Sequence, residues 1–370
     1  VRLNISTRKV RLSFADDVKL CFAVEEGKRM GTRSALIHGH DTVALAMPPH
    51  ILPMLAMLSE MPADEDQYGF EYKWDGIRAF TFFDGHRLRL ETRNQKDITR
   101  AYPELAGLAA WLEGSSVILD GEIVAFDTAG HPSFGRLQHR LGATEGHAAA
   151  LQSEIPVTYM LFDALYLEGH SLLGLPYTER REILEGLALE SEHWKTPPSY
   201  YREGGPVLEA ARENGLEGVV AKRLDSPYRQ GLRTHEWRKI KLVQSQEFVI
   251  GGWTPISTGA HAIGALLLGY YEVPQAGRPP GLVFAGKVGT GFSERDRDAL
   301  AHALDEKRRD TSPFTDLPGE KGVVYFAEPD LVGEVEYRGW TNAGHLRQPS
   351  FKGLRIDKQP TEVVKEEITS

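Results

Sequence analysis

The sequence predicts an α+β chain in which a mixed domain of hairpins and helices is followed by a smaller β-barrel. Three observations carry this. At 370 residues the chain exceeds one ordinary core, so two domains with an appendage are expected. From Tyr68 onward, short alternating segments are mixed with helical stretches, without the regular strand–helix–strand repeat of a parallel sheet. After Lys241 the texture shifts to glycine-rich strand segments around one well-capped helix.

Taken in order, residues 1–46 form an extension in which Val10, Leu12 and Phe14 alternate as in a strand, followed by a mixed segment with no assignable job. His38 and His40 have no further ligand at metal-binding spacing, so a loop is the expectation. Pro48, Pro49 and Pro53 read as an extended lead-in. FEYKW and IRAFTFF are expected strands, and Asp84-Gly85 marks a hairpin turn into RLRLETR. Helices are expected over Tyr102 to Leu112, Phe134 to Leu141 and Thr178 to Leu189. Further strands are expected at VILDGEIVAF, VTYMLFDAL and GVVAKRL. Beyond Lys241, EFVIGGW, GALLLGYYEV and LVFAGKV precede a helix opened by a Ser293–Asp296 capping box, and VVYFAEP and LVGEVEYRGW follow it. Such short strands with one helix are what a small OB-type barrel needs. The glycines from Gly286 to Gly291 lack phosphate-loop spacing and read as a strand-to-helix turn.

Composition narrows the function classes. Apolar residues at 41% and charged residues at 26% are ordinary for a soluble protein, and no stretch reaches the ~20 apolar residues of a spanning helix. No membrane role is expected. No apolar leader with a cleavage site follows Val1, and Cys21 is the only cysteine, which fits a reducing cytoplasm. The net charge of −9 disfavours a uniformly basic nucleic-acid binder, yet Lys222 to Lys241 holds seven basic residues against two acidic ones.

That run coincides with motifs. KWDGIR places Lys73, Asp75, Gly76 and Arg78 between two expected strands. ETRNQKD with Arg93, LDGEIVAFD with Glu122, YMLFD with Phe162, EGVVAK with Glu217 and Lys222, WRKIK with Lys239 and Lys241, and GLRIDK with Arg355, Asp357 and Lys358 follow in order. With these in order, the chain resembles the covalent nucleotidyltransferases, specifically the ATP-dependent DNA ligases. It is most similar to the ligase module of bacterial non-homologous end-joining ligases, over about residues 47 to 360.

The chemistry explains the residue types. A lysine amine attacks the α-phosphorus of ATP only when neutral, so the Lys73 ammonium must be disfavoured, by burial near other cations such as Lys239, Lys241 and a bound metal. The resemblance implies an ATP-grasp-like nucleotidyltransferase domain over 47–241, an OB-fold domain over 242–358 and a C-terminal tail over 359–370. It further implies that Arg78, Arg93, Arg233 and Lys239 contact phosphates of ATP or DNA, where positive charge offsets developing negative charge. Lys241 is grouped with them at the ATP site. Glu122, read as following a tight Asp-Gly turn, would accept a hydrogen bond from ribose, and Phe162 would stack on adenine. Glu71, on the same strand face as Lys73, would read the adenine edge. Glu217 would position Mg²⁺ or Mn²⁺, and Arg355, Asp357 and Lys358 would orient the pyrophosphate from a domain that closes over the first.

One departure stands out: the family element around Arg93 has Gly where this chain has Gln95, so a differently seated loop is expected there. Nicked or broken duplex DNA and a Ku-type end-binding protein are the partners the resemblance implies, with a monomeric, nucleoid-associated chain. The same lysine chemistry also serves RNA ligases and capping guanylyltransferases, and a basic run beside an OB barrel also suits a catalytically inactive DNA-binding scaffold.

Overall fold

The computed structural model describes the backbone of Lys9–Ser13, Lys19–Ala23 and Leu36–His38, and residues 45–112, 114–140, 145–256, 263–272, 281–319 and 322–367. The three early strands pair antiparallel in chain order. Phe14 and His40 lie outside the described residues. Among the described residues no group of three or more metal-type ligands occurs, and no helix is long and apolar enough to cross a membrane.

Two sheets build the mixed domain. The first orders His170–Ser171, Val157–Leu167, Val117–Ala125, Ile77–Phe83 and Leu88–Thr92. The second orders Tyr200–Tyr201, Tyr68–Lys73, Gly218–Arg223, Arg233–Lys241 and Leu55–Leu58. Because strand side chains alternate, the two faces of each sheet carry different rows of side chains. In the first sheet Ile77, Ala79, Leu119 and Ile123 pack on Leu105, Leu108, Ile183 and Leu184 from the flanking helices. In the second, Tyr68, Phe70, Val219 and Ile240 pack on Val207 and Ala211 of the helix Gly204–Glu213. Between the sheets Phe80, Phe82 and Ile118 meet Trp237, sealed by Ile51 and Met54 of the lead-in. Each such buried aromatic or aliphatic side chain contributes about 1.5–3 kcal/mol. The rest of the inner rows, charged residues mixed with apolar ones such as Phe162 and Val220, lines the cleft.

The KWDGIR element is not a hairpin. Lys73 ends a strand of the second sheet and Ile77 begins one of the first, so Trp74–Gly76 crosses between sheets. Gly76 is required there, since a Cβ would lie 2.3 Å from the Ile123 carbonyl oxygen. Asp120-Gly121 is likewise no turn. Both residues lie inside Val117–Ala125 at a register shift, where a Gly121 Cβ would come within 2.6 Å of the Met160 carbonyl and the Tyr159 ring.

The Asp84 turn forms as expected, its carboxylate accepting from the His86 and Arg87 amides. The helix expected from Tyr102 splits into the 3-10 turn Pro103–Gly107 and the short α-helix Leu108–Trp111. That expected from Phe134 splits into Phe134–Leu137, capped by Ser133, and the 3-10 turn Gln138–Arg140. Tyr177–Gly186 matches the third. Two helices had no clear signal. Glu145–Glu154 lacks a strong apolar stripe, and Gly204–Glu213 opens on Gly-Gly-Pro, which reads as a turn.

The second domain is one curved antiparallel sheet ordered Leu282–Val288, Ile263–Tyr271, Gln244–Pro255, Tyr325–Tyr337 and Arg308–Arg309, with Ser350–Leu354 also on Tyr325–Tyr337. It is the expected OB-type arrangement. The two segments VVYFAEP and LVGEVEYRGW join into one strand whose pairing jumps from Leu331 to Phe326. Pro329, lacking an N–H, lies in the skipped stretch. Leu300 and Leu304 of the helix Glu294–Glu306 plug the core beside Phe248 and Leu266, and the Ser293–Asp296 capping box forms.

Candidate active site

A cavity of about 730 Å³ opens where both sheets of the first domain meet the second, and Lys73, Glu217, Phe162 and Arg355 all line it. Every motif residue expected in the site, Arg78 included, lines this cavity.

Lys73 ends its strand with Nζ in contact with a Glu217 carboxylate oxygen. Strand pairing accounts for this, because Gly218 sits opposite both Lys73 and Lys241 in the register of the second sheet. Glu217 also takes Lys241 Nζ at 3.0 Å and the Ser245 hydroxyl at 3.3 Å. Burial alone would raise its carboxyl, but Lys73 and Lys241 overcome that and hold it well below the ordinary range. The direct partner of Lys73 is thus a carboxylate, which it shares with Lys241.

Acids accumulate on the other side of Lys73. Burial, reinforced by Glu334 and Glu217, pushes the Asp75 carboxyl up to about 7. Burial likewise pushes Glu122 up to about 8, against the pull of Lys73, Arg355 and Arg78. Arg78, expected on phosphate, is diverted. Its Nε and Nη2 grip Asp120 at 2.9 and 2.6 Å, Nη1 donates to the Met54 carbonyl at 2.7 Å, and Nη2 also donates to the Tyr228 hydroxyl at 3.0 Å. Four of the five guanidinium N–H bonds thus go to protein acceptors. Its carbon lies 5.3 Å from the Phe162 ring centre and 5.7 Å from that of Trp237.

Phe162 projects from its strand into the cleft, edge-on to Trp237 at 6.4 Å. Lys222 Nζ sits 4.5 Å from each of these rings and 2.8 Å from Glu71. Glu71 shares the strand face of Lys73, as expected. Its carboxylate is occupied, however, accepting from Tyr177 Oη at 2.5 Å as well as from Lys222, with Arg181 at 3.5 Å.

The second domain closes the cleft. Arg355 makes a fork to Asp357 (2.9 and 2.9 Å), reaches Glu334 at 2.7 Å and stacks 4.4 Å above the Phe134 ring of the first domain. Lys358 pairs with Glu247 at 2.7 Å. Asn94 and Gln138 of the first domain bind the Asp357 carbonyl at 2.6 Å and the Leu354 amide at 3.1 Å. The segment after Lys358, expected only as a tail, folds back along the cleft. There Glu362 takes Arg93 at 2.8 Å and Glu366 contacts Lys239. Burial lowers Lys239 to about 8 although Glu366 opposes this. Arg233 stands at the cavity rim with Nη1 on the Ala56 carbonyl at 2.7 Å.

Two further features bear on the site. Gln95 holds a left-handed backbone with φ of 62°, a conformation glycine adopts without steric cost, so a cost falls on its Cβ. The basic run does not present a uniform face. Arg223 pairs with Asp225 and Arg229 with Glu236, while Lys222, Lys239 and Lys241 point into the acid-lined cleft. Sequence reasoning missed Asp120, Glu247, Glu334, Glu362, Glu366 and Trp237. Asp120 and Trp237 stood inside recognised motifs and Glu334 inside the segment EPDLVGEVEYRGWT that also carries the resemblance, while Glu247 lies in an expected strand and Glu362 and Glu366 in terminal sequence.

Comparison with known proteins places the chain in a family with this two-domain fold. Residues 53–241 match the ATP dependent DNA ligase domain and residues 259–358 the ATP dependent DNA ligase C terminal region. The multifunctional non-homologous end joining protein LigD of Mycolicibacterium smegmatis is 42% identical over 324 residues, 86% of this chain and 40% of LigD. The chain thus spans well under half of that relative's length. A DNA ligase of Thermococcus onnurineus is 31% identical over 352 residues, 89% of this chain and 60% of the relative. The solved structure of a mycobacterial DNA ligase D complexed with ATP and MES superposes with a TM-score of 0.60 at 40% identity, covering 85% of this chain and 98% of that one.

Proposed function

The chain belongs to the ATP-dependent DNA ligases, and from that premise we propose that it seals 3′-OH/5′-phosphate breaks in duplex DNA, with Lys73 carrying AMP. The observation that carries this reading is Lys73 held by Glu217 at the floor of a cleft roofed by Arg355 and Lys358 of the other domain.

In the proposed sequence, Lys73 Nζ loses a proton and attacks the α-phosphorus of ATP. The N–P bond forms as the bond to pyrophosphate breaks. Arg355 and Lys358, brought in by closure, neutralise the departing pyrophosphate, with Asp357 fixing the Arg355 fork. A DNA 5′-phosphate oxygen then takes the AMP from Lys73, and the 3′-OH displaces AMP to close the strand. Glu122 serves the ribose, Phe162 the adenine face, and Glu71 the adenine edge through the strand it shares with Lys73. Arg93, Arg233, Lys239 and Lys241 serve phosphate oxygens. Arg78 supports Phe162 and Trp237 from behind through Asp120.

The residues fit the divalent cation that this family uses. Mg²⁺ keeps several waters and takes one or two carboxylates beside substrate phosphates, so a full protein cage is not needed. The crowding of Asp75 by Glu334 and Glu217 leaves negative charge that a cation would offset. Glu217 and Asp75 would hold Mg²⁺ or Mn²⁺, which when bound supplies positive charge to the phosphoryl oxygens.

We assign the nucleotidyltransferase domain to 47–241 and the OB-fold domain to 242–358, a division supported by the change of sheet between Arg233–Lys241 and Gln244–Pro255. The similarity to LigD supports a place in end joining, and we propose that the chain acts there as a cytoplasmic, nucleoid-associated monomer with a Ku-type partner. Nick sealing by wild type and Lys73→Ala, with labelled ATP against labelled GTP, tests the reading. Sealing by wild type alone, with AMP transfer preferred, is expected. Preferred GMP transfer would point to capping chemistry, and no sealing by either protein to a scaffold.

A further inference from the structure

The segment Gln359–Glu367 is fastened in place and forms part of the cavity wall. Val363 is buried in the second-domain core with Leu267 and Leu282, and Val364 bridges to Tyr271, whose amide donates to the Val363 carbonyl at 2.7 Å. Gln246 holds the segment twice, donating to the Val364 carbonyl at 3.0 Å and accepting from the Glu366 amide at 2.9 Å. From this anchored backbone two carboxylates cross to the first domain. Glu362 takes Arg93, and Glu366 takes Lys239 at a contact where only 12% of either side chain is exposed.

The pairing is imperfect. Arg93 Nε and Glu366 Oε2 are both buried without a hydrogen-bond partner. A carboxylate brings one charge and two coplanar oxygens, whereas a phosphate brings more charge and a tetrahedral set of acceptors. A phosphate arriving here could use the Arg93 N–H that the strap leaves unmatched and would not bury an idle oxygen. Both cations are therefore held by a poorer version of what they are suited to bind.

We propose that Gln359–Glu367 is a built-in phosphate mimic, with Glu362 and Glu366 occupying Arg93 and Lys239 in place of phosphate oxygens until substrate lifts it. This deepens the ligase reading and rests on it. The strap is fixed to the second domain, so its carboxylates travel with Arg355 and Lys358. The closed, nucleotide-free form is thereby held shut by its own acids, and phosphate entry exchanges those contacts for better ones. The shared chemistry is a phosphate group, supplied by either the ATP triphosphate or the DNA backbone.

The test uses the whole chain with Glu362→Gln, Glu366→Gln and the double variant. It reads two quantities: KM for ATP in Lys73 adenylylation, and KM for a pre-adenylylated nicked duplex in sealing. An occlusion populated about nine-tenths of the time weakens apparent affinity about tenfold, so a fall of about that size in one KM is expected. A fall for ATP assigns the mimicry to the triphosphate, and a fall for the nick alone assigns it to DNA phosphate. Val363→Ala, which loosens the anchor without touching charge, should move the same KM in the same direction, and melting curves check that each variant folds. Unchanged or raised KM for both substrates in folded variants overturns the strap. No label on Lys73 in any protein, wild type included, would instead remove the ligase reading, and the strap with it.

Discussion

Replacing Arg78 by Lys separates the role its contacts suggest from the phosphate contact that its motif suggested. Asp120 is fully buried, and Arg78 is its bidentate partner with 16% of its side chain exposed. Removing one member of a buried pair outright costs about 3–5 kcal/mol. Lysine keeps the charge but loses the fork and the contacts to Met54 and Tyr228, so roughly half that cost, about 2 kcal/mol, is expected. In a chain of this size that lowers Tm by about 2–3 °C. Thermal melting of wild type, Arg78→Lys, Asp120→Asn and the double variant measures this. The double variant should melt well above the sum of the two single losses, because both remove the same interaction. If Arg78→Lys melts with wild type yet loses adenylylation, the guanidinium serves phosphate directly and the scaffolding argument fails.

Other outcomes follow from single contacts. Gln95→Gly relieves a left-handed φ of 62°, and after the extra chain entropy of glycine a gain of about 0.5 kcal/mol is expected in denaturant unfolding; a loss would show that the Gln95 side chain stabilises the loop. Glu122 is raised to about 8, so between about pH 4.5 and 8 the folded state keeps a proton that the unfolded chain has lost, and stability falls as pH rises through that window. Wild type should accordingly lose stability relative to Glu122→Gln from about pH 5 to 8, and a constant Tm difference would contradict the buried-acid assignment. Arg355→Ala should slow Lys73 adenylylation more than sealing of pre-adenylylated DNA. Equal losses in both assays would place Arg355 outside the pyrophosphate step.

Much of the fold was legible because its strands follow simple alternation. Ile77–Phe83 and Leu282–Val288 coincide with segments read from pattern alone, and the Ser293–Asp296 box marked its helix from local chemistry. Short helices blurred where propensity was weak, as at Pro103–Gly107, and where Gly-Gly-Pro hid the start of Gly204–Glu213. The positions of Lys73, Glu217, Phe162 and Arg355 around one cavity followed from motif order. Their partners did not. Glu334, Glu247 and Glu366 reach the cleft only because the second domain closes on the first, a long-range event with no local signature. The Asp-Gly pair before Glu122 was misread because glycine suggests a turn, whereas here it admits the Met160 carbonyl to a crowded strand.

Peptide mapping by mass spectrometry, after incubation with ATP and Mg²⁺, tests the central claim most directly. A single AMP adduct on Lys73, lost on addition of nicked DNA, is the expected result. An adduct on another residue, or none on a folded protein, would contradict the assignment of Lys73 as the nucleophile.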